Sequence, residues 1–277
     1  MLKSEMHVAV PTAFYEDESL DTSATISHVK QLYKDGVKSV LISGTTGEQH
    51  SMRLEEKIEL ISALDNEADL MQEIEVIFGV ASVRQKEAEQ LAKKVRGTEI
   101  AAVMIGFPPY IIPSQAEAVH YAKKLIQISN KPAIIYNNPG RTGFDLSVES
   151  ILELSQLDSV IGVKDPGDRE KMRTVKERIE KEFYFYAGGE IDLEAKVMYG
   201  YNRLSSIAGN CYPHEIEEWF TRLIREEPVK KDTASAVSQI LYEVYNGSPI
   251  VNIKDHLNAQ GTPMGICRRP IGTVRHT

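Results

Sequence analysis

The stretch that decides the fold is residues 160–165, which reads Val-Ile-Gly-Val-Lys-Asp. Apolar and small residues in succession, without polar alternation, are typical of a parallel strand that is covered on both faces. Seven further short runs rich in Val, Ile and aromatic residues recur along the chain. They occupy residues 7–10, 39–43, 74–78, 101–105, 133–136, 183–186 and 204–207.

Amphipathic stretches with helical spacing separate these runs. Ile58, Ile61 and Leu64 share one helix face, and Ser114 and Ser147 stand where N-caps are expected. Eight strand–helix units in about 225 residues match the size of a (β/α)8 barrel. A doubly wound sheet is disfavoured because no glycine-rich dinucleotide turn or phosphate-binding loop follows a strand. The pattern therefore predicts an α/β fold, a (β/α)8 TIM barrel over residues 1–227.

The pattern changes after Pro228. Residues 229–245 and 250–257 have the character of helices, and the chain from Gly261 onwards is rich in Gly and Pro. We expect residues 228–277 to form a small C-terminal helical domain that extends the barrel and is too small to fold alone.

Composition excludes several classes of protein. The chain has 277 residues, with 40 acidic against 32 basic side chains and a formal charge of -8, which disfavours nucleic-acid binding. Its two cysteines cannot build a disulfide scaffold or a four-ligand zinc site, and its histidines lack ligand spacing. Neither a signal peptide nor a membrane-spanning stretch is recognisable. We expect a cytoplasmic protein that contacts no membrane.

Lys164 is the sharpest candidate for chemistry, because function in such barrels gathers where the strands end. Its ammonium would emerge from an apolar strand into the barrel mouth, where desolvation lowers the pKa of a lysine and makes it a nucleophile. Two plainer alternatives remain open from position alone. The side chain could extend to solvent at the strand end, or it could pair with Asp165.

Three other strand ends add polar groups. Tyr136 ends the strand before Lys164, and its phenol could move protons or simply be a satisfied core hydroxyl. Arg141 offers a planar fork that suits a carboxylate, or a surface ion pair. The turn Gly44-Thr45-Thr46-Gly47 could present backbone amides and hydroxyls to an anion, or serve only as a strand-to-helix connection.

Taken together, three motifs at strand ends resemble the dihydrodipicolinate synthase and N-acetylneuraminate lyase family. The motifs are Gly44–Glu48, then Tyr136–Gly143 with its Tyr-Asn-x-Pro-x-Arg-Thr-Gly pattern, then Gly162–Asp165. Their order and spacing agree along nearly the whole chain, and residues 265–270 also resemble the family's C-terminal ending. The resemblance implies a (β/α)8 barrel with a C-terminal helical domain, and a homotetramer or homodimer.

The resemblance also implies a class I aldolase mechanism that needs no metal and no cofactor. Lys164 would form a Schiff base with pyruvate, and the resulting enamine would add to an aldehyde. The remaining roles, carried over by position, fall on seven residues. Thr45 and Thr46 would bind the keto-acid carboxylate, Tyr136 would act as general acid and base, Tyr110 would complete a proton relay from a neighbouring subunit, Arg141 would bind the second substrate, and Gly188 and Ser205 would line the pocket.

Arg141 directs the choice within the family, because the synthase branch uses an arginine at this position for aspartate semialdehyde. We therefore expect a 4-hydroxy-tetrahydrodipicolinate synthase-like lyase that acts towards lysine. Another 2-keto-acid aldolase or dehydratase, of the N-acetylneuraminate lyase or 2-keto-3-deoxy sugar-acid aldolase type, is the alternative. A keto-acid-binding regulator without turnover is a third. Departures from the synthase pattern favour the alternatives and predict weak or absent lysine inhibition; they lie at Val10–Phe14, Gln49, His50, Pro109, Ile111, Ile112 and Lys164–Gly167.

Overall fold

The computed structural model describes residues 2–274. Eight parallel strands close into a barrel in chain order, and the last strand pairs with the first. The strands are β1 (Met6–Ala9), β2 (Ser39–Ile42), β3 (Glu75–Val80), β4 (Ala102–Gly106), β5 (Ala133–Tyr136), β6 (Val160–Lys164), β7 (Tyr184–Ala187) and β8 (Arg203–Ser206). The predicted TIM barrel is confirmed, with strand ends displaced by at most a few residues.

Twelve helices surround or follow the barrel in the described part of the chain. They are α1 (Thr22–Lys34), α2 (Leu54–Asp65), α3 (Ala68–Glu73), α4 (Gln85–Arg96), α5 (Gln115–Ser129), α6 (Pro139–Thr142), α7 (Val148–Ser155), α8 (Arg169–Arg178), α9 (Leu193–Met198), α10 (Pro213–Ile224), α11 (Lys231–Tyr245) and α12 (Pro249–Ala259). Ser114 and Ser147 cap α5 and α7 as expected, each accepting a hydrogen bond from a backbone amide of the first turn.

The strands are buried on both faces, which explains their unalternating apolar sequences. One set of side chains, including Leu41, Ile77 and Ile134, fills the barrel interior. The alternate set, including Val40, Val76 and Ile135, packs under the helices. This two-sided burial is the physical reason why pattern alone located the strands.

Two short stretches differ from what their residue pattern indicates. The charged run at residues 177–182 is typical of a solvated helix face, but α8 ends at Arg178 and Ile179 is already extended. Cys211 comes shortly after the last apolar run, yet it lies outside β8, follows a 3-10 turn and is half-buried.

The C-terminal helices are attached to the barrel by buried polar contacts. Lys254 of α12 donates to Glu48 Oε1 over 2.7 Å, and the backbone amide of Arg268 donates to Glu48 Oε2 over 2.9 Å. The Glu48 side chain therefore holds α12 and the C-terminal segment. The domain boundary after residue 227 stays a prediction. Within residues 2–274 no helix has the length and apolar character needed to cross a bilayer.

Candidate active site

A cavity of about 580 Å³ opens where β2 to β6 end. Five of the eight predicted site residues line it: Thr45, Tyr110, Tyr136, Arg141 and Lys164. The other three, Thr46, Gly188 and Ser205, do not form part of its wall.

Lys164 ends β6 and is 8 % exposed. Its ammonium donates to Ser205 Oγ over 2.8 Å and lies 4.7 Å from the centre of the Tyr136 ring. Burial lowers the pKa of Lys164, although Tyr136 and Glu190 oppose that change. The alternative pairing with Asp165 is excluded, because that carboxylate accepts from Lys171 over 3.0 Å and from Asn137 over 2.8 Å. Lys164 thus lacks an ion-pair partner among the described residues.

Tyr136 lies directly beside Lys164 in the strand register. Its hydroxyl is 3.3 Å from Thr45 Oγ1 and accepts a hydrogen bond of 2.7 Å from Asn138 Nδ2. Burial alone would raise the pKa of Tyr136, but Lys164, Thr45 and Asn138 together lower it. A phenol in these surroundings is suited to accept and return a proton near the amine.

The Gly44–Gly47 turn follows β2. No hydrogen bond from the backbone amides of Thr45 or Thr46 to another described residue is present, so both amides remain available for an anion. The Thr46 side chain is buried behind the wall. Ser43, in the same loop, lines the cavity, and its buried hydroxyl meets no partner within residues 2–274. In the sequence Ser43 is simply the last residue of an apolar run, and nothing there marks it as a site residue.

Arg141 and Tyr110 stand at the outer part of the cavity. Arg141 belongs to the short helix α6 and is exposed, and no ion pair or hydrogen bond occupies its guanidinium in the described chain. The alternative of an ordinary surface ion pair is therefore excluded. Tyr110 is 86 % exposed and Ile111 is 83 % exposed, so an aromatic and an aliphatic side chain project together from the rim.

Gly188 and Ser205 support Lys164 from behind. A side chain on Gly188 would meet Pro166 Cβ at 2.8 Å and Lys164 Cε at 3.4 Å, so only glycine fits there without displacement. Ser205 supplies the hydroxyl that Lys164 contacts. Close by, the buried carboxylate of Glu190 accepts from the amides of Ile207 and Ala208 at 3.0 and 3.1 Å. Tyr245 of α11 also donates to Glu190, which links the C-terminal helices to the site.

Asn138, Gln49 and His50 also line the cavity, and no role was assigned to them from sequence. Asn138 lies inside a quoted motif, yet only the fold shows that its amide donates to Tyr136. Gln49 and His50 follow the Gly-Thr-Thr-Gly-Glu motif directly, and their position in that loop was the available signal. Burial lowers the pKa of His50, with Arg141 and Lys57 contributing and Glu48 opposing. No group of three or more potential metal ligands occurs within residues 2–274.

Comparison with known proteins identifies the family and agrees with the fold. A model of the "Dihydrodipicolinate synthetase family" matches residues 3–277. The 4-hydroxy-tetrahydrodipicolinate synthase of Oceanobacillus iheyensis is 27% identical over 265 residues, which cover 95% of this chain and 89% of that protein. The dihydrodipicolinate synthase DapA-2 of Bacillus anthracis superposes with a TM-score of 0.88 at 25% identity, covering 100% of this chain and 94% of the other.

A sugar-binding relative has the same fold. CdNal of Clostridium difficile, solved in complex with mannosamine, superposes with a TM-score of 0.90 at 21% identity over 98% of this chain and 93% of its own. The closed barrel with a buried lysine at its mouth, together with these likenesses, defines a lyase of the class I aldolase type. The chain belongs to the dihydrodipicolinate synthetase family.

Proposed function

We propose that this enzyme condenses pyruvate with aspartate semialdehyde to 4-hydroxy-tetrahydrodipicolinate, in the direction of lysine synthesis, through a Schiff base on Lys164. The observation that carries the proposal is the buried Lys164, held by a neutral hydroxyl and next to Tyr136 in one cavity with Arg141, which has no partner within residues 2–274. The proposed mechanism uses no metal and no cofactor.

In the first steps, the neutral amine of Lys164 attacks the ketone carbon of pyruvate. A proton passes through Tyr136 to the departing oxygen, and water leaves as the iminium forms. The unoccupied amides of Thr45 and Thr46 would hold the pyruvate carboxylate. The iminium nitrogen withdraws electrons, so the adjacent methyl group loses a proton and becomes a nucleophilic enamine.

In the later steps, the enamine carbon attacks the aldehyde carbon, and the new alkoxide takes a proton. Arg141 would bind the carboxylate of aspartate semialdehyde in a bidentate pair, because it lines the cavity and its guanidinium has no partner among the described residues. The amino group that came with aspartate semialdehyde then attacks the iminium carbon, and the bond from that carbon to the Lys164 nitrogen breaks. The ring of the product closes as a cyclic imine, and Lys164 leaves as the free amine for the next cycle.

We further propose a homotetramer or homodimer in which Tyr110 completes the Thr45–Tyr136 relay of a neighbouring subunit. The exposure of Tyr110 and Ile111 at the cavity rim supports this arrangement. A Tyr110→Phe variant should keep the oligomer seen by light scattering but lose turnover. A monomeric wild-type enzyme with full activity would contradict the proposed assembly.

A second candidate substrate is a 2-keto-3-deoxy sugar acid or a sialic acid, cleaved in the reverse direction. Its support is the row of neutral polar groups in the cavity, Gln49, His50, Asn138 and Thr142, which can bind sugar hydroxyls.

Two experiments test these proposals. Borohydride reduction in the presence of pyruvate should leave a stable adduct on Lys164 that peptide mass spectrometry locates, and an intact enzyme without an adduct would overturn the Schiff-base mechanism. Steady-state assays should then compare pyruvate plus aspartate semialdehyde with cleavage of sialic acid and of 2-keto-3-deoxy sugar acids. Turnover of a sugar acid alone would transfer the assignment to the second candidate.

A further inference from the structure

A second buried lysine lies directly behind the cavity wall. Lys57 of α2 is 4 % exposed, and its ammonium donates to Gln49 Oε1 over 3.0 Å and to the carbonyl oxygen of Ala81 over 2.9 Å. Gln49 and Ala81 both line the cavity. Lys57 therefore joins the loop after β2 to the loop after β3 at the surface that faces the substrates.

The contact with Lys57 orients the Gln49 side chain. A lysine ammonium has donors and no acceptor, so it can face only the oxygen of the amide. The amide nitrogen of Gln49 is left with no hydrogen-bond partner within residues 2–274. Gln49 consequently offers a donor, not an acceptor, to whatever enters the cavity.

The charges around Gln49 point to the same kind of ligand. Lys57 forms no ion pair with the described carboxylates, and burial lowers its pKa to about 8, opposed by Glu87 and Glu56. It thus remains mostly charged at neutral pH. Arg141 lines the same cavity, and its guanidinium has no partner in the described part of the chain. A cation and an amide donor on the cavity wall, with a second cation directly behind that wall, favour a ligand with anionic oxygen.

We propose that Gln49 donates a hydrogen bond to an anionic oxygen of the aldehyde substrate, and that Lys57 is the positioning residue that orients its amide. The inference rests on the proposed function and deepens it, since it assigns the electrophile to the class of acidic aldehydes. Pyruvate binds at the Lys164 end and should be insensitive to Gln49. The selectivity for the second substrate thus depends partly on a lysine that never touches it.

The test uses two single variants and their combination. Gln49→Met keeps the length of the side chain and removes the donor, and Lys57→Met keeps the aliphatic stem and removes the ammonium. Each should lower kcat/KM for aspartate semialdehyde about tenfold through a raised KM, which is the scale of one charge-assisted hydrogen bond. The double variant should lose no more than the larger single loss, because Lys57 acts through Gln49. Borohydride trapping with pyruvate should stay within about twofold of the wild type.

Two controls keep the result interpretable. Lys123→Met removes a surface lysine that pairs with Glu153 and should change neither measurement. Gln49→Glu keeps an oxygen acceptor for the Lys57 ammonium, so the variant should fold like the wild type. It replaces the amide donor by a carboxylate, so it should raise the KM for the aldehyde more than Gln49→Met does. An unchanged aldehyde KM in Gln49→Met, additive losses in the double variant, or a parallel loss of pyruvate trapping would each overturn the inference. Absence of a pyruvate adduct on the wild type would instead overturn the proposed function.

Discussion

Lys164 and Lys254 are both buried, at 8 % and 1 % exposure, but they meet opposite surroundings. Lys254 in α12 forms an ion pair of 2.7 Å with the buried carboxylate of Glu48 and also donates to the carbonyl oxygen of Ile266 over 2.7 Å. Lys164 at the end of β6 has a neutral hydroxyl, Ser205 Oγ, as its hydrogen-bond partner. The ammonium of Lys254 contacts a carboxylate. Among the described residues, the ammonium of Lys164 contacts none.

This difference distinguishes a structural lysine, Lys254, from the one that we propose to be reactive, Lys164. Burial penalises an ammonium, and a contacting carboxylate compensates that penalty. Where no carboxylate contacts the lysine, burial lowers its pKa, and a larger fraction of the side chain is the neutral amine that can act as a nucleophile. Burial by itself is therefore a poor indicator of reactivity. The group that contacts the buried ammonium determines whether the lysine stays charged.

The largest expected effect is the loss of chemistry at Lys164. Lys164→Ala removes the only group proposed to bond covalently to pyruvate, so no borohydride adduct should form and kcat should fall by about 10⁴-fold or more. Peptide mass spectrometry and steady-state assays measure the two effects. The wild-type adduct should avoid Lys254. A pyruvate adduct on Lys254, or on the Lys164→Ala variant, would contradict the proposal that Lys164 alone reacts with pyruvate.

A large loss of stability is expected at the other lysine. Glu48→Gln leaves the Lys254 ammonium buried without its carboxylate, which should lower the free energy of unfolding by about 3–5 kcal/mol. Urea denaturation measures this change. Lys164→Met, which removes a buried amine without a charge partner, should leave the stability equal or higher. Comparable destabilisation by both variants would show that the two sites do not differ as described.

Removal of one phenol should have an intermediate effect. Tyr136→Phe keeps the ring against Lys164 but deletes the proton carrier, so the rate of adduct formation should fall by about 10²-fold. Stopped-flow or quenched trapping with pyruvate measures this rate. The matched control is Tyr121→Phe, since the Tyr121 hydroxyl donates to the carbonyl oxygen of Gly106 and does not line the cavity. Equal losses in both variants would assign Tyr136 a packing role only.

The pH dependence of trapping should show the smallest effects. Because the pKa of Lys164 is lowered by burial, adduct formation should rise with pH and reach half its maximum below 10.5, the ordinary value. Between the lowered pKa of Lys164 in the folded protein and its ordinary pKa in the unfolded chain, Lys164 is protonated only in the unfolded chain. Its contribution to the free energy of unfolding therefore increases as the pH rises through this range. Ser205→Ala removes a hydrogen bond that favours the ammonium, so it should move the profile to lower pH and change the rate only a few-fold. A midpoint at or above the ordinary value would contradict the assignment.

Much of the site could be predicted because it lies on strand ends. Lys164 and Tyr136 end continuous apolar runs, and in a parallel barrel such residues meet at one rim. Thr45 and Arg141 follow within a few residues of their strands. Thr46, Gly188 and Ser205 lie behind the cavity wall, because their orientation depends on how each loop folds after its strand.

The contacts that tune the site could not be predicted, because their partners are far apart in the chain. Lys254 and Glu48 are separated by 206 positions, and Tyr245 reaches Glu190 across 55. Lys57 follows the acidic residues Glu55 and Glu56 in α2, a setting typical of a solvated helix face, yet the fold buries it against Gln49 and Ala81. No periodicity distinguishes such a lysine from a solvated one.

The sequence by itself therefore determined the barrel, its strand ends and the residue types at its mouth, because two-sided burial and strand termination act locally along the chain. Only the tertiary structure decided which buried lysine meets a carboxylate and which does not. That choice depends on desolvation and on partners brought together by barrel closure and by the C-terminal helices, and neither is encoded in any single stretch.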